Sequence, residues 1–298
     1  MRAAAIFGPG SSINELKLFQ NASAVTWLTG LPATSNDADA ILIFGGDGTV
    51  HRHLPQLVEL QLPVLVVPCG SGNDFARALG LGSVRDSLGA WRKFCSGRED
   101  AQAIDLGVIT PITDPHSAGQ SPAPHQHYFC CVAGVGLDGE IARRANRLPR
   151  WLRAHGGYIL SFLPALCRFA PIAMRISVAC AEGPDAFIAR TAKPLVVAAF
   201  ANAPAYGGGM KIAPRARFDD GALDVCIVPD MSKFKLCCLF PTVYFGRHLS
   251  VPGVEYFQTE RLRLETETPF EVYADGEYVC RTPIEVSVAR GALCLIRA

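Results

Sequence analysis

Between Ile41 and Arg77, short runs without a polar residue alternate with glycine turns and helix-like stretches. Residues 41–44 (ILIF) read as a strand, 45–48 as a glycine turn, and the stretch after them as a helix. Residues 62–67 read as a second strand, and 69–72 as a second glycine turn opening another helix. All-apolar runs of this length joined by a helix predict adjacent parallel strands buried on both faces, with both turns at the strands' carboxyl ends. Ligands of open α/β sheets bind at that end.

The flanking pattern extends the α/β reading toward the start of the chain. Residues 3–7 predict a strand ending in Gly8-Pro9-Gly10-Ser11-Ser12, followed by a helix through Leu16 and Phe19. Residues 28–39 (LTGLPATSNDAD) are polar and turn-rich and predict no helix. A helix with Leu88, Trp91 and Phe94 then leads to a strand over 103–109 that carries Asp105. Residues 111–127 (PITDPHSAGQSPAPHQH) read as a loop or hairpin tip. His125 and His127 within it lack a third ligand at metal-site spacing and are read as loop residues.

From Ile172 onward the period shortens to alternating strands, as in residues 261–265 and 285–288. Turns at Glu182-Gly183-Pro184, Asp275-Gly276 and Arg290-Gly291 punctuate them. Many short strands at regular spacing predict an antiparallel sandwich or barrel, interrupted by one helix over 234–245.

The chemistry sits first in the twin turns. Glycines let backbone come close to a ligand, and amides at a helix N-terminus favour phosphate. That makes Gly45, Gly46, Gly48, Thr49, Gly70, Ser71, Gly72 and Asn73 candidate nucleotide-binding residues. Each turn adds an acid, Asp47 and Asp74, which would repel a bare phosphate but suits a hydrated Mg²⁺ held against one. The expected fold is therefore an α/β N-terminal domain with a parallel sheet and glycine-rich nucleotide turns over residues 1–108. A C-terminal antiparallel β-sandwich domain is expected over 109–298, its last strand a candidate to return to the first domain.

Composition narrows the class without naming the reaction. With 298 residues and 49% hydrophobic content the chain is long enough for two cores. A net charge of +1 argues against nucleic acid as an obligatory partner. Eleven cysteines occur without CxxC spacing, and Cys130-Cys131 and Cys237-Cys238 are adjacent pairs poorly suited to bridge within themselves. With no secretory leader in the sequence, the expectation is a reduced, cytoplasmic protein. No apolar run reaches the roughly 18 residues of a membrane span, so any membrane contact is expected from the surface.

Two further stretches invite specific readings. Gly134-Val135-Gly136-Leu137-Asp138-Gly139 matches GxGxxG after a strand, but no Asp or Glu occurs from Ile141 to Ala181. The dinucleotide fingerprint needs an acid about 20 residues on, so that reading fails. Asp138 is left with a structural and a functional reading. The acid-free segment carries Arg143, Arg144, Arg147, Arg150, Arg153, Arg168 and Arg175 around Trp151, Leu152, Tyr158, Ile159, Leu160, Phe162, Leu163 and Leu166. It suits an anionic membrane surface, where each basic group contributes about 1 kcal/mol, and equally a core-facing helix with a solvated basic face.

Gly45-Gly46-Asp47-Gly48-Thr49 followed by Gly70-Ser71-Gly72-Asn73-Asp74-Phe75-Ala76-Arg77 resembles the nucleotide site of the diacylglycerol kinase family, which includes bacterial lipid kinases, sphingosine kinases and ceramide kinases. NAD kinases share the first motif; the second is more specific to lipid kinases. The chain departs from the family at Phe7-Gly8-Pro9 and in lacking a second helix, after the one through Leu16 and Phe19, before the Gly-Gly-Asp-Gly-Thr turn. The resemblance implies that Asp105 joins Asp47 and Asp74 around Mg²⁺. It also implies that Asn202, Gly207-Gly208-Gly209, Pro214, Ala216 and Asp220-Gly221-Ala222-Leu223-Asp224 follow the family pattern, with Asp220 holding a structural metal. Asp275-Gly276-Glu277 matches the family's Asp-Gly-Glu, whose glutamate accepts the substrate hydroxyl's proton. Read from the residues alone, both Asp220-Gly221 and Asp275-Gly276 are hairpin turns.

These expectations describe an ATP-dependent, Mg²⁺-requiring lipid kinase acting peripherally at an anionic membrane, with the lipid entering between the domains. A homodimer is left open, as is the identity of the lipid. The rivals are an NAD kinase and a non-catalytic lipid-binding or regulatory protein.

Overall fold

The computed structural model describes residues 1–21, 25–112, 125–149, 157–180, 183 and 186–297. Most of the expected 111–127 loop, and Arg150, Trp151, Leu152, Arg153, Glu182 and Pro184, lie outside the described residues. The chain divides into two units, Met1–Leu106 with Arg290–Ala298, and Gly107–Ala289.

The first unit begins β1 (Arg2–Phe7), α1 (Ile13–Gln20), β2 (Thr26–Thr29), β3 (Ala40–Gly45), α2 (Asp47–Leu60) and β4 (Val64–Pro68). Then come α3 (Asp74–Ala78), α4 (Val84–Cys95) and the start of β5 (Gln102–Pro111). β1 lies parallel between β2 and β3, and β3 lies parallel to β4 from Ile41↔Val64 to Gly45↔Pro68. That register sets the ends of both strands, and hence both glycine turns, side by side. Every residue of β3 is buried, which explains its lack of any polar side chain. Phe19, Leu54, Leu57 and Trp91 close the two faces of the sheet, each such burial contributing roughly 1.5–3 kcal/mol. Ser12 caps α1 in a capping box with Glu15, and Ser83 caps α4. In α4, Trp91 is buried as its spacing predicts, but its buried neighbours are Ser87 and Ala90 rather than Leu88 or Phe94. The Ser87 hydroxyl donates to the Val66 carbonyl at 2.9 Å, so a polar residue sits against the sheet without an unmet bond.

The second unit holds β6 (His127–Phe129), β7 (Val132–Gly136), α5 (Leu137–Asn146), α6 (Gly157–Arg168), β8 (Ile172–Ala179), β9 (Phe187–Ala201) and β10 (Leu223–Pro229). It continues with α7 (Lys233–Val243), a short 3₁₀ turn, β11 (Glu255–Thr259), β12 (Arg261–Thr266), β13 (Glu271–Ala274), β14 (Glu277–Arg281) and most of β15 (Ile284–Leu295). The strand pairings here are antiparallel, as the alternation predicts. β9, at 15 residues, is long enough to pair with β7, β8 and β10 in turn. The core between them is built on Phe129, Phe200, Met174, Ile176, Val225 and Leu264. The apolar run over 128–133 is not one strand: it bends at Cys130 and Cys131 between β6 and β7.

Candidate active site

The two glycine turns are built against each other. A Cβ on Gly70 would collide with the Gly46 Cα, and one on Gly46 would lie 2.8 Å from the Gly70 Cα. A Cβ on Gly72 would lie 2.8 Å from Asp47 Oδ2. Here glycine is required by close approach of main chain to main chain. The Asp47 carboxylate then ties the turns together: Oδ2 accepts the Asp74 N–H at 3.1 Å and Oδ1 accepts the Phe75 N–H at 3.0 Å. Asp47 thus caps α3 from across the sheet end, a task local sequence gives to Asn73. Asn73 instead has a left-handed backbone (φ 57°) and closes the turn on itself, accepting the Gly70 N–H at 2.9 Å and donating to the Gly70 carbonyl at 2.8 Å. α2, by contrast, begins at Gly46 with no side chain capping it. Thr49 is buried in the first turn of α2, and Ser71 is exposed at the tip of the second turn.

The three acids expected to share a metal each make protein contacts of their own. Asp74 is buried and paired with the Arg77 guanidinium at 2.5 Å, and Arg77 also donates to the Gly72 carbonyl. Asp105 is buried on β5 and accepts the Gly291 N–H at 2.8 Å. Among the described residues, the one group of three Asp, Glu, His or Cys whose ligand atoms all lie within 4.8 Å of one another is Cys130, Cys131 and Asp275.

In the second unit Asp275 starts the turn from β13 to β14 with a left-handed backbone (φ 50°). Its Oδ2 accepts the Cys130 N–H at 2.9 Å and its Oδ1 accepts the Cys131 N–H at 2.8 Å. Asn146 donates to the Gly276 carbonyl at 2.7 Å, holding the turn from its other side. The Glu277 side chain emerges from this clamp into solvent. Asp220 is exposed in a turn where its Oδ1 accepts the Ala222 N–H at 3.2 Å. Gln258 donates to Asp220 Oδ2 at 3.1 Å and to Asp224 Oδ2 at 3.2 Å, which brings together the first and last residues of the Asp-Gly-Ala-Leu-Asp run. Asp224 is buried and also accepts from the Tyr256 hydroxyl at 2.6 Å. Burial, with Asp220 nearby, raises its carboxyl above the ordinary range.

The GxGxxG stretch proves to be a packing motif. A Cβ on Gly134 would strike Asp138 Oδ2, Gly136 has φ 120°, and a Cβ on Gly139 would lie 2.9 Å from the Tyr273 ring. Asp138 itself is buried at the start of α5, and desolvation lifts its carboxyl to about 6. It lines an apolar cavity of about 70 Å³ together with Leu137, Phe162, Leu239, Phe240 and His248. His248 is fully buried there, with Nε2 3.0 Å from the Ile212 carbonyl oxygen, while Nδ1 has no hydrogen-bond partner among the described residues. Sequence reading missed His248 and the roof over this cavity, because each depends on contacts distant along the chain. α6 and α7 meet in that roof, where the Phe162 and Phe240 rings stack with centroids 3.8 Å apart. Of the apolar residues expected to face either core or membrane, Phe162 and Leu166 are buried, whereas Ile159, Leu160 and Leu163 are 54%, 52% and 58% exposed. Arg143 and Arg144 both pair with Glu140, so they are not simply a solvated basic face. No helix among the described residues is long and apolar enough to cross a membrane.

A parallel α/β unit ending in paired glycine turns, followed by an antiparallel sandwich, is the architecture of a phosphotransferase of the lipid and NAD kinase type. Residues 16–109 match the diacylglycerol kinase catalytic domain, and residues 131–297 match the YegS C-terminal NAD kinase beta sandwich-like domain. The chain belongs to the diacylglycerol kinase family and is a lipid kinase. It is 31% identical over 271 residues to a diacylglycerol kinase of Mycobacterium tuberculosis, covering 89% of this chain and 79% of that one. It is 25% identical over 248 residues to a diacylglycerol kinase of Bacillus subtilis, covering 83% and 73%. In fold it is similar to a crystal structure of a diacylglycerol kinase from Bacillus anthracis, with a TM-score of 0.69 at 20% identity over 100% of this chain and 97% of that one. An NAD kinase from Archaeoglobus fulgidus solved with ATP is more distant, with a TM-score of 0.51 at 13% identity over 99% and 92%.

Proposed function

We propose that this lipid kinase transfers the γ-phosphate of ATP to a lipid hydroxyl at the surface of an anionic membrane on the cytoplasmic side. The reading is carried by the paired turns, whose glycines let the two main chains meet at the strand ends, and by the α2 start, which has no side-chain cap competing for an anion. Gly45, Gly46, Gly48 and Thr49 from one turn, with Gly70, Ser71, Gly72 and Asn73 from the other, would line the triphosphate. The acids beside them offer carboxylate oxygens, the donors a hard cation takes, so the residues present fit Mg²⁺. Asp47, Asp74 and Asp105 are the candidates to hold it; bound there, Mg²⁺ would neutralise charge on the transferring phosphoryl group. Asp220, bridged to Asp224 through Gln258, is the candidate for a structural cation.

Glu277 would accept the proton of the attacking hydroxyl, and Asp275, by fixing the turn on which Glu277 stands, would position it. The apolar cavity under α6 and α7 suits a lipid chain chemically, with Asp138 and His248 as polar groups inside it. At about 70 Å³ it holds a few waters rather than an acyl chain, so entry would require α6 and α7 to part. The exposed Ile159, Leu160 and Leu163 on α6 and Phe234 on α7 give those helices an apolar outer face without acidic residues, which supports contact with an anionic bilayer.

The test is phosphoryl transfer from γ-labelled ATP to a panel of hydroxylated lipids in anionic vesicles, with NAD offered in parallel. Lipid-dependent, Mg²⁺-dependent incorporation is expected. Phosphorylation of NAD alone would favour the NAD kinase reading, and failure of ATP to raise the melting temperature would favour a protein that no longer binds nucleotide.

A further inference from the structure

The cluster of Cys130, Cys131 and Asp275 has a chemistry that the kinase reading does not use. The two cysteines occupy the bend between β6 and β7, 0% and 2% exposed, and Asp275 reaches them from the turn between β13 and β14. Two thiol sulfurs and a carboxylate oxygen there all lie within 4.8 Å of one another. Asp275 Oδ2 already accepts from Cys130 Sγ at 3.3 Å. The geometry points to a site for a thiophilic divalent cation, Zn²⁺ or Cd²⁺, held by Cys130 Sγ, Cys131 Sγ and an Asp275 oxygen.

Three features carry this assignment. Softness selects the ion: thiolates favour zinc-class metals, whereas Mg²⁺ takes oxygen, so this cluster would not compete for the kinase's own cation. Distance permits it: around a zinc ion with bonds of about 2.0–2.3 Å, tetrahedral neighbours stand roughly 3.3–3.8 Å apart. Ligand atoms already within 4.8 Å therefore need side-chain rotation rather than refolding. Charge is manageable as well. Two thiolates and a carboxylate bring three negative charges to one dication, and the N–H groups of Cys130, Cys131 and Val132 all point at the Asp275 carboxylate. Asp275 is partly exposed, which gives the ion an approach from the turn.

Binding balances as one aquated dication exchanging waters for three protein ligands, with both thiol protons released to solvent and a water completing the tetrahedron. The ion would join the β6–β7 bend to the β13–β14 turn through the ligands that now make hydrogen bonds there. Glu277 lies two residues beyond Asp275, so occupancy would stiffen or shift the turn that carries it. This site stands on its ligands alone and does not depend on Glu277 being the base.

The experiment uses the full chain, reduced with a phosphine and stripped of metal, titrated with Cd²⁺ and followed by the ultraviolet thiolate-to-metal charge-transfer band. A parallel Zn²⁺ titration competes against a chromophoric chelator in weak buffer. One ion per chain, a thiolate band and two protons released per Zn²⁺ are expected. Cys130→Ser and Cys131→Ser should each weaken binding by more than the roughly 10–100-fold that loss of an outer partner costs. A Cys167→Ser, Cys237→Ser, Cys238→Ser triple variant should bind as the parent does. The proposal is overturned if the parent shows no stoichiometric thiolate band, or if the band survives in the Cys130→Ser and Cys131→Ser chains. Loss of the band in the triple variant overturns it too, and both the parent and that variant can be read even if the buried serine variants do not fold.

Discussion

Asp47 caps the helix that begins with Asp74, accepting the Asp74 N–H at 3.1 Å and the next N–H, of Phe75, at 3.0 Å. An acid in a glycine turn suggests a solvent-facing group that could be removed without harm to the fold. The cap changes that expectation. Asp47→Ala should abolish phosphoryl transfer and also destabilise the first unit by about 1–3 kcal/mol, because two main-chain donors lose a charged acceptor. Asp47→Asn keeps an acceptor and should recover part of the stability without recovering transfer. Denaturant melts and lipid phosphorylation on both variants check this; a variant that keeps its transfer removes Asp47 from the mechanism.

Glu277 is exposed, so its replacement should leave stability near that of the parent. Glu277→Gln keeps shape and hydrogen-bonding reach while removing basicity. It should lower kcat by about 10²–10⁴-fold with ATP affinity unchanged. Single-turnover phosphorylation and nucleotide binding on one preparation decide the matter. Near-normal turnover would return Glu277 to the role of a hairpin residue.

Asp138 should make stability fall as pH rises. Its folded carboxyl sits at about 6, above the ordinary value of 3.8, because burial disfavours the charged form. Below 3.8 both states are protonated and the group is neutral in its effect. Between 3.8 and about 6 the unfolded chain releases a proton that the folded one keeps, so stability declines, and above about 6 the full cost of about 3 kcal/mol is present. Asp138→Asn should therefore gain on the parent progressively across that window and by a constant amount above it. A stability difference between parent and variant that does not change with pH would show that Asp138 is not held protonated.

The outer face of α6 should govern membrane binding. Leu160→Glu with Leu163→Glu changes side chains that are already half in solvent, so the fold should hold while sedimentation with anionic vesicles drops. Arg147→Gln with Lys235→Gln should weaken binding in low salt and matter less as salt rises, since exposed charges are screened beyond about 10 Å at 0.1 M. Unchanged sedimentation in both would leave α6 as a helix whose exposed leucines serve no bilayer.

Local pattern carried most of the scaffold and part of the site. All-apolar runs fixed β3 and β4 as adjacent parallel strands, and the alternation after Ile172 announced the antiparallel unit. The glycine turns were legible because close backbone approach demands glycine whatever the ligand. What could not be read were partnerships across long separations. Asp275 meets Cys130 across 145 positions, and Asp105 meets Gly291 across 186. Nor does periodicity reveal that Gly134 is small to make room for Asp138, or that Ser87 rather than Leu88 faces the sheet.

The first unit is assembled from two stretches far apart in sequence: Arg290 onward belongs with Met1–Leu106. Leu295 aligns beside Val64 on β4, Ile296 donates to the Val64 carbonyl at 2.9 Å, and Gln61 donates to the Ala292 carbonyl at 3.0 Å. During synthesis, which proceeds at about 5–20 residues per second, β4 therefore waits roughly ten seconds or more with one edge open while the other unit is made. An unfilled edge is a template for pairing with another chain. Ribosome-bound intermediates of this protein should accordingly lean on chaperones until that strand emerges, which makes the stretch from Arg290 onward a point at which folding yield is decided.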